Sequence, residues 1–185
     1  MIQVVFETHS ISEDNERGVA SGWRHSRLSE RGRELARELG RRRGEDRIDA
    51  VFSSDLRRAV ETVELAFAHA SLPTFLDWRL RECDYGQRNG GPAADHVRDR
   101  ARFLDDPYPG GESWRQAIAR VGRFLDDLPL RWEDKRVLVL GHVATRWGLE
   151  HHLVGTPLEE LVRADVAWRE GWEFVLWRRD AQGEP

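Results

Sequence analysis

The sequence has a single cysteine, no long apolar run and no surplus of positive charge, and each shortage removes a class of protein. Cys83 stands alone, which excludes an internal disulfide and fits a reducing compartment. No apolar stretch approaches the roughly 20 residues needed to span a membrane. The opening residues, Met1 to Ser10, hold no basic region followed by a long apolar segment, so a secretory signal is not expected and a cytoplasmic location is. Lys and Arg total 29 against 33 Asp and Glu, a formal charge of −4, which offers no general attraction to nucleic acid. Metal ligands are also short. His151 and His152 are neighbours that do not share a helical face, and no zinc-spaced set completes them, so no metal is expected.

What is present suits one domain: 185 residues, of which 39% are hydrophobic, enough for a real core. The arginine-rich stretch from Arg24 to Arg47 interleaves Glu30, Glu34 and Glu38 at helical spacing, so it reads as a solvated helix face and not a nucleic-acid site. Ile2 to Phe6 and Asp49 to Phe52 read as buried strands, and Val137 to Leu140 is the clearest of them. Between them lie a helix opened by Ser29, with Leu35, Ala36 and Leu39 inward, and another from about Leu56 to Ala70. Pro73 to Gly86 is weakly patterned. The stretch 87–111, rich in Gly, Pro and charge, suits a loop or cap over a site, with one short helix from Ala93 to Phe103. Ser113 caps a further helix, and helical character resumes from Ala144 to Leu153. A closing hairpin, Leu161 to Trp168 and Trp172 to Trp177, would offer an aromatic edge for pairing in a homodimer. Strands alternating with amphipathic helices predict an α/β fold whose sheet is largely parallel and covered on both faces. The domain is placed at 1–180, with a disordered tail at 181–185.

In such sheets ligands bind beyond the carboxyl ends of the strands. Three of those ends carry reactive polar groups: His9 after the first, Ser53 to Arg58 after the second, and His142 after the strong one. Neutral imidazole is a good nucleophile toward phosphorus, and a second histidine can hydrogen-bond the transferred oxygens. Arg58 supplies a fixed fork of donors for a phosphate dianion. A departing alkoxide needs a proton, for which Glu82 is the first candidate and Asp84 the alternative.

These residues carry a resemblance. The segments THS (Thr8 to Ser10), Asn15, SGW (Ser21 to Trp23), LSERG (Leu28 to Gly32), SSDLRRAVET (Ser53 to Thr62), RECDYG around Glu82, PGGES (Pro109 to Ser113) and VLVLGHV around His142 run in one order along the chain. In that order they are similar to the landmarks of the histidine phosphatase superfamily, the phosphoglycerate mutase-like fold. The resemblance implies a three-layer α/β/α sandwich with a mostly parallel central sheet. It implies a phosphomonoesterase in which His9 becomes phosphohistidine, Arg58 and His142 bind the phosphoryl oxygens, and Glu82 donates the proton, without metal or cofactor. Asn15 and the backbone at Ser21 and Gly22 would line the substrate side of a small-molecule site. Mutase activity is less expected, because the segment between Gly86 and Pro109 is short and matches no mutase motif.

The departures from the family pattern set the rival reading. Thr8 stands where the family places an arginine before the nucleophile, Ser10 replaces a glycine after it, Ser12 a threonine, and Val143 a glycine after the second histidine. Arg24 and Arg146 are candidates to supply the missing charge. A weakened member that binds a phosphorylated ligand or a protein partner without efficient turnover is the alternative, with Thr8 its main support. His25, His69 and His96 are expected at the surface, Trp147, Trp172 and Trp177 in packing, and Cys83 in packing. Trp114, beside the Gly-rich stretch, is a candidate to cover a leaving group.

Overall fold

The computed structural model describes residues 1–165 and 169–177. In chain order it contains β1 (Ile2–Thr8), α1 (Glu13–Glu16), β2 (Val19–Ala20), α2 (Glu30–Arg43), β3 (Ala50–Ser53), α3 (Arg57–Ala66), β4 (Thr74–Leu76), β5 (Gly91–Pro92), α4 (Ala93–Asp99), α5 (Trp114–Asp127), α6 (Pro129–Trp132), β6 (Arg136–Gly141), α7 (Val143–Leu149), α8 (Leu158–Leu161) and β7 (Trp172–Leu176). The main sheet has the order β4-β3-β6-β1-β7, parallel except for β7, which runs antiparallel to β1 at the edge.

Alternation along the strands sends side chains to two faces and builds the three layers. Val4, Phe6, Val137 and Val139 pack with Phe124, Leu125 and Leu149 of α5 and α7. Val5, Leu138 and Leu140 pack on the other face with Ala59 and Val63 of α3. Each such side chain, fully withdrawn from water, contributes roughly 1.5–3 kcal/mol. A third apolar cluster, with Tyr85, Tyr108, Trp114 and Trp147, lies where the segment after Tyr85 meets α5 and α7.

The capping residues read from the sequence act as expected. Ser29 accepts from the Gly32 amide, and Ser113 forms a reciprocal box with Gln116. Two elements differ from expectation. The stretch after Pro73 holds a short edge strand, β4, which pairs with β3. Helix α3 stops at Ala66, short of Ala70. In the region of the expected C-terminal hairpin, Leu161 ends α8 and Trp172–Leu176 pairs with β1. Residues 166–168, part of its first arm, and the tail at 181–185 lie outside the described residues. No described helix is long and apolar enough to cross a membrane.

Candidate active site

The site forms where β1 and β6 end side by side. Thr8 is in register with Gly141, so His9 and His142, the next residue on each strand, emerge as neighbours with ring centroids 4.9 Å apart. Arg58, on the first turn of α3, reaches between them. Its Nε donates to His9 Nε2 at 3.2 Å, and its Nη2 lies 3.3 Å from His142 Nδ1. The guanidinium is held from behind by the carbonyls of Gly22, at 3.0 Å, and Arg24, at 3.5 Å. Gly22 sits at φ +55, where a side chain is strained, and a Cβ there would meet the Asn89 amide at 1.8 Å.

These contacts dictate the tautomers, because a guanidinium only donates and a carbonyl only accepts. His9 Nδ1 donates to the Ser10 carbonyl at 2.7 Å, leaving its Nε2 as a lone pair. His142 accepts from Arg58 at Nδ1, so its proton is on Nε2, a buried atom with no partner among the described residues. One ring is thereby set as a nucleophile and the other as a donor. Burial first, then the Arg58 charge, lowers the His9 pKa to about 3, against a weaker pull from the Ser10 carbonyl. Burial pushes His142 well below the ordinary imidazole value, with Arg58 and His9 acting in the same direction. Both rings are neutral at physiological pH.

Arg58 is only 3% exposed, yet its hydrogen bonds go to carbonyls and imidazoles, with no carboxylate partner among the described residues. A guanidinium buried this way costs several kcal/mol unless an anion joins it. Glu82 approaches from the loop after β4. Its Oε1 accepts from the Cys83 and Ala144 amides, at 2.9 and 3.1 Å. Burial raises its pKa above the usual carboxylate value, opposed by those amides and by Arg58. A carboxyl whose pKa is raised keeps its proton to higher pH, which suits general acid work.

Beside these groups lies a cavity of about 210 Å³ whose wall includes His9, Asn15, Ser21, Gly22, Arg58, Glu82 and Val143. Thr8 and Arg24 are not in that wall. Thr8 faces a different cavity of about 460 Å³, which it shares with His9, Asn15, Leu35 and Arg42. The exposed Arg24 side chain lies against Gly90, and Arg146 stacks over Trp172 at 5.1 Å while pairing with Glu150. Neither arginine reaches His9 or the cavity beside it. Asp84 accepts instead from the Gly86 amide and the Asn89 side chain, at 2.9 and 2.6 Å. Cys83 is fully buried with its thiol pushed well above its ordinary pKa, consistent with packing.

The expectation for His96 fails. It is 5% exposed, stacks near Tyr85 at 4.2 Å and lines the same cavity, as does Trp114. Two further residues, assigned no role from the sequence, position these groups. Thr62 Oγ1 accepts from the Ser10 amide at 3.0 Å and donates to the Arg58 carbonyl at 2.7 Å, tying the loop of His9 to α3. Arg120, buried on α5, donates to the carbonyls of Arg79, Arg81 and Glu82, each at 2.7 Å, and pairs with Glu112, fixing the loop that carries Glu82. Thr62 closes the SSDLRRAVET landmark, whereas nothing in the local pattern separates Arg120 from an ordinary helix residue.

Residues 5–172 match the histidine phosphatase superfamily (branch 1). The chain belongs to that superfamily. A 2,3-bisphosphoglycerate-dependent phosphoglycerate mutase of Methylobacterium sp. (strain 4-46) is 36% identical over 154 residues, covering 75% of this chain and 74% of the relative. The enzyme of the same name from Methylorubrum populi is 32% identical over 179 residues, 89% of this chain and 84% of that one. Among solved structures, YhfR of Bacillus stearothermophilus superposes with a TM-score of 0.80 at 25% identity, covering 92% of this chain and 88% of that one. A mycobacterial glucosyl-3-phosphoglycerate phosphatase, solved with VO3, gives 0.76 at 26% identity, covering 86% and 85%. The three-layer α/β/α fold of this chain, with a mostly parallel central sheet, is the phosphoglycerate mutase-like fold of that superfamily.

Proposed function

We propose that this protein is a phosphomonoesterase that works through His9. The His9 Nε2 lone pair attacks phosphorus, the bond from phosphorus to the ester oxygen breaks, and Glu82 gives its proton to the departing alkoxide. Water then attacks the phosphohistidine, Glu82 recovers a proton, and orthophosphate leaves. Arg58 shifts its donors from the imidazoles to the phosphoryl oxygens, and the His142 Nε2–H supplies another. No step calls for a metal. The observation that carries this reading is the buried Arg58 guanidinium, bridging two neutral imidazoles of opposite tautomer, with no carboxylate paired to it among the described residues.

The test is phosphate release from a panel of small phosphomonoesters with chelator present, comparing the native chain with His9→Ala. Turnover is expected from the native chain and should fall to background in the variant; equal turnover in both would remove His9 from the mechanism. The curated relatives named above are mutases. Against that activity, the segment between Gly86 and Pro109 is short. Phosphoglycerate isomerisation faster than ester hydrolysis would reverse this choice.

Thr8 favours the second reading, binding without efficient turnover. A missing charge-assisted donor costs a transition state roughly 10²–10³ in rate. Thr8→Arg is expected to raise kcat/KM by about tenfold or more if slow turnover comes from this position. A native chain that binds orthophosphate, with neither protein releasing it from any ester, would establish the binding role instead.

A further inference from the structure

One side-chain amide outside the substrate cavity joins the two halves of the site. Asn89, half-buried in the turn before β5, accepts at Oδ1 from the Trp23 amide at 3.3 Å and from the Tyr85 amide at 3.0 Å. Its Nδ2 donates to Asp84 Oδ1 at 2.6 Å. These partners fix which way the amide faces, because a flip would set its NH2 against two N–H groups and its oxygen against a carboxylate. The close approach depends on Gly22, where a Cβ would lie 1.8 Å from Asn89 Oδ1.

The Gly22 carbonyl and the Trp23 N–H are opposite ends of one planar peptide group. Asn89 holds the N–H end, and Arg58 Nη2 donates to the carbonyl end at 3.0 Å. Rotating that peptide would take the carbonyl away from the guanidinium. The other accepted bond comes from Tyr85, in the loop that carries Glu82, and the Trp23 indole reaches the same loop by donating from Nε1 to the Glu82 carbonyl at 2.6 Å. Thr62 anchors the His9 loop to α3, and Arg120 anchors the Glu82 loop to α5. Asn89 bonds to both the peptide behind Arg58 and the loop of Glu82, yet it is not in the cavity wall.

Resting on the phosphomonoesterase reading, we propose that Asn89 is a positioning residue that sets the phosphate-binding donors of Arg58 in register with the Glu82 carboxyl. The phosphoryl group and the proton for its leaving group are then presented in one geometry. A misplacement of about 1 Å between such groups costs roughly 10² in rate.

Two readouts test this in the native chain, in Asn89→Ala and in Asp84→Ala: calorimetric binding of orthophosphate, and kcat and KM on an alkyl phosphate and on p-nitrophenyl phosphate. Asn89→Ala is expected to weaken orthophosphate binding by about tenfold. Its kcat on the alkyl ester, which needs the Glu82 proton, should fall about tenfold further than on the nitrophenyl ester. Asp84→Ala leaves the amide in place but free to turn, so both losses should recur at smaller size. Native orthophosphate affinity with a native ratio of the two esters in Asn89→Ala overturns the proposal, whatever happens to Tm, and so does an equal fall on both esters. If Asn89→Ala fails to fold, the same native values in Asp84→Ala overturn it. A native chain that binds orthophosphate but hydrolyses neither ester counts against the phosphatase reading alone, and the orthophosphate series still decides the role of Asn89.

Discussion

Arg58 decides the chemistry of the site at the scale of single residues. By donating to one nitrogen on each imidazole it leaves His9 with a lone pair and His142 with a proton. The pKa values then separate the roles by pH. With His9 titrating only at about 3, its protonation takes no activity away between pH 5 and 8. In the proposed mechanism Glu82 has the opposite requirement: it must be protonated to act, and burial raises its pKa. Activity is therefore expected to fall on the alkaline side as Glu82 loses its proton, and kcat/KM profiles of native chain and Glu82→Gln check this. In the variant the alkaline limb should disappear, and kcat on an alkyl phosphate should drop by about 10²–10⁴. p-Nitrophenyl phosphate, whose leaving group needs little protonation, should lose much less. An equal loss on both esters would assign Glu82 a role other than proton donation.

Elements place these residues, and here the sequence was legible in part. His9, Arg58 and His142 were readable because each follows or closely trails a strongly apolar strand, and the landmark order located Glu82. His96 was not, since one histidine in a charged, Gly- and Pro-rich stretch gives no sign that the chain folds back to bury it. β4 was hidden for a similar reason: its three residues are all exposed and follow a proline, so neither burial nor alternation marks them. The pairing of Trp172–Leu176 with β1 was hidden as well, because the two segments lie at opposite ends of the chain and adjacent apolar segments suggest pairing with each other. Helix contacts give a prediction of definite sign. In an open helix, Gly to Ala adds about 1 kcal/mol of stability. A Cβ on Gly40 of α2 would instead lie 2.0 Å from the Ala66 carbonyl at the end of α3. Gly40→Ala is expected to lower unfolding free energy by about 1–3 kcal/mol in urea titrations, because two helices must move apart. A stabilised variant would show that the α2–α3 contact yields freely.

Across the whole molecule, function is set against stability at one point. The free protein holds a buried guanidinium, with no carboxylate paired to it among the described residues, beside two unprotonated imidazoles, an arrangement that favours an oxoanion over an empty site. A ligand that binds only the folded state stabilises it by RT ln(1 + [L]/Kd), about 2.7 kcal/mol at a hundredfold excess over Kd. For a chain of this size that corresponds to a rise in Tm of roughly 5–10 °C. Vanadate or orthophosphate is expected to produce such a rise in the native chain, read by calorimetric melting. Arg58→Met keeps most of the volume and removes the charge. It orphans the Gly22 carbonyl, a cost of about 1–3 kcal/mol, but relieves the larger desolvation of the guanidinium. Its ligand-free Tm is therefore expected to match or exceed that of the native chain, with the oxoanion-induced rise abolished. A variant that melts several degrees lower yet still responds to vanadate would mean that Arg58 is a structural residue and that the anion is held elsewhere.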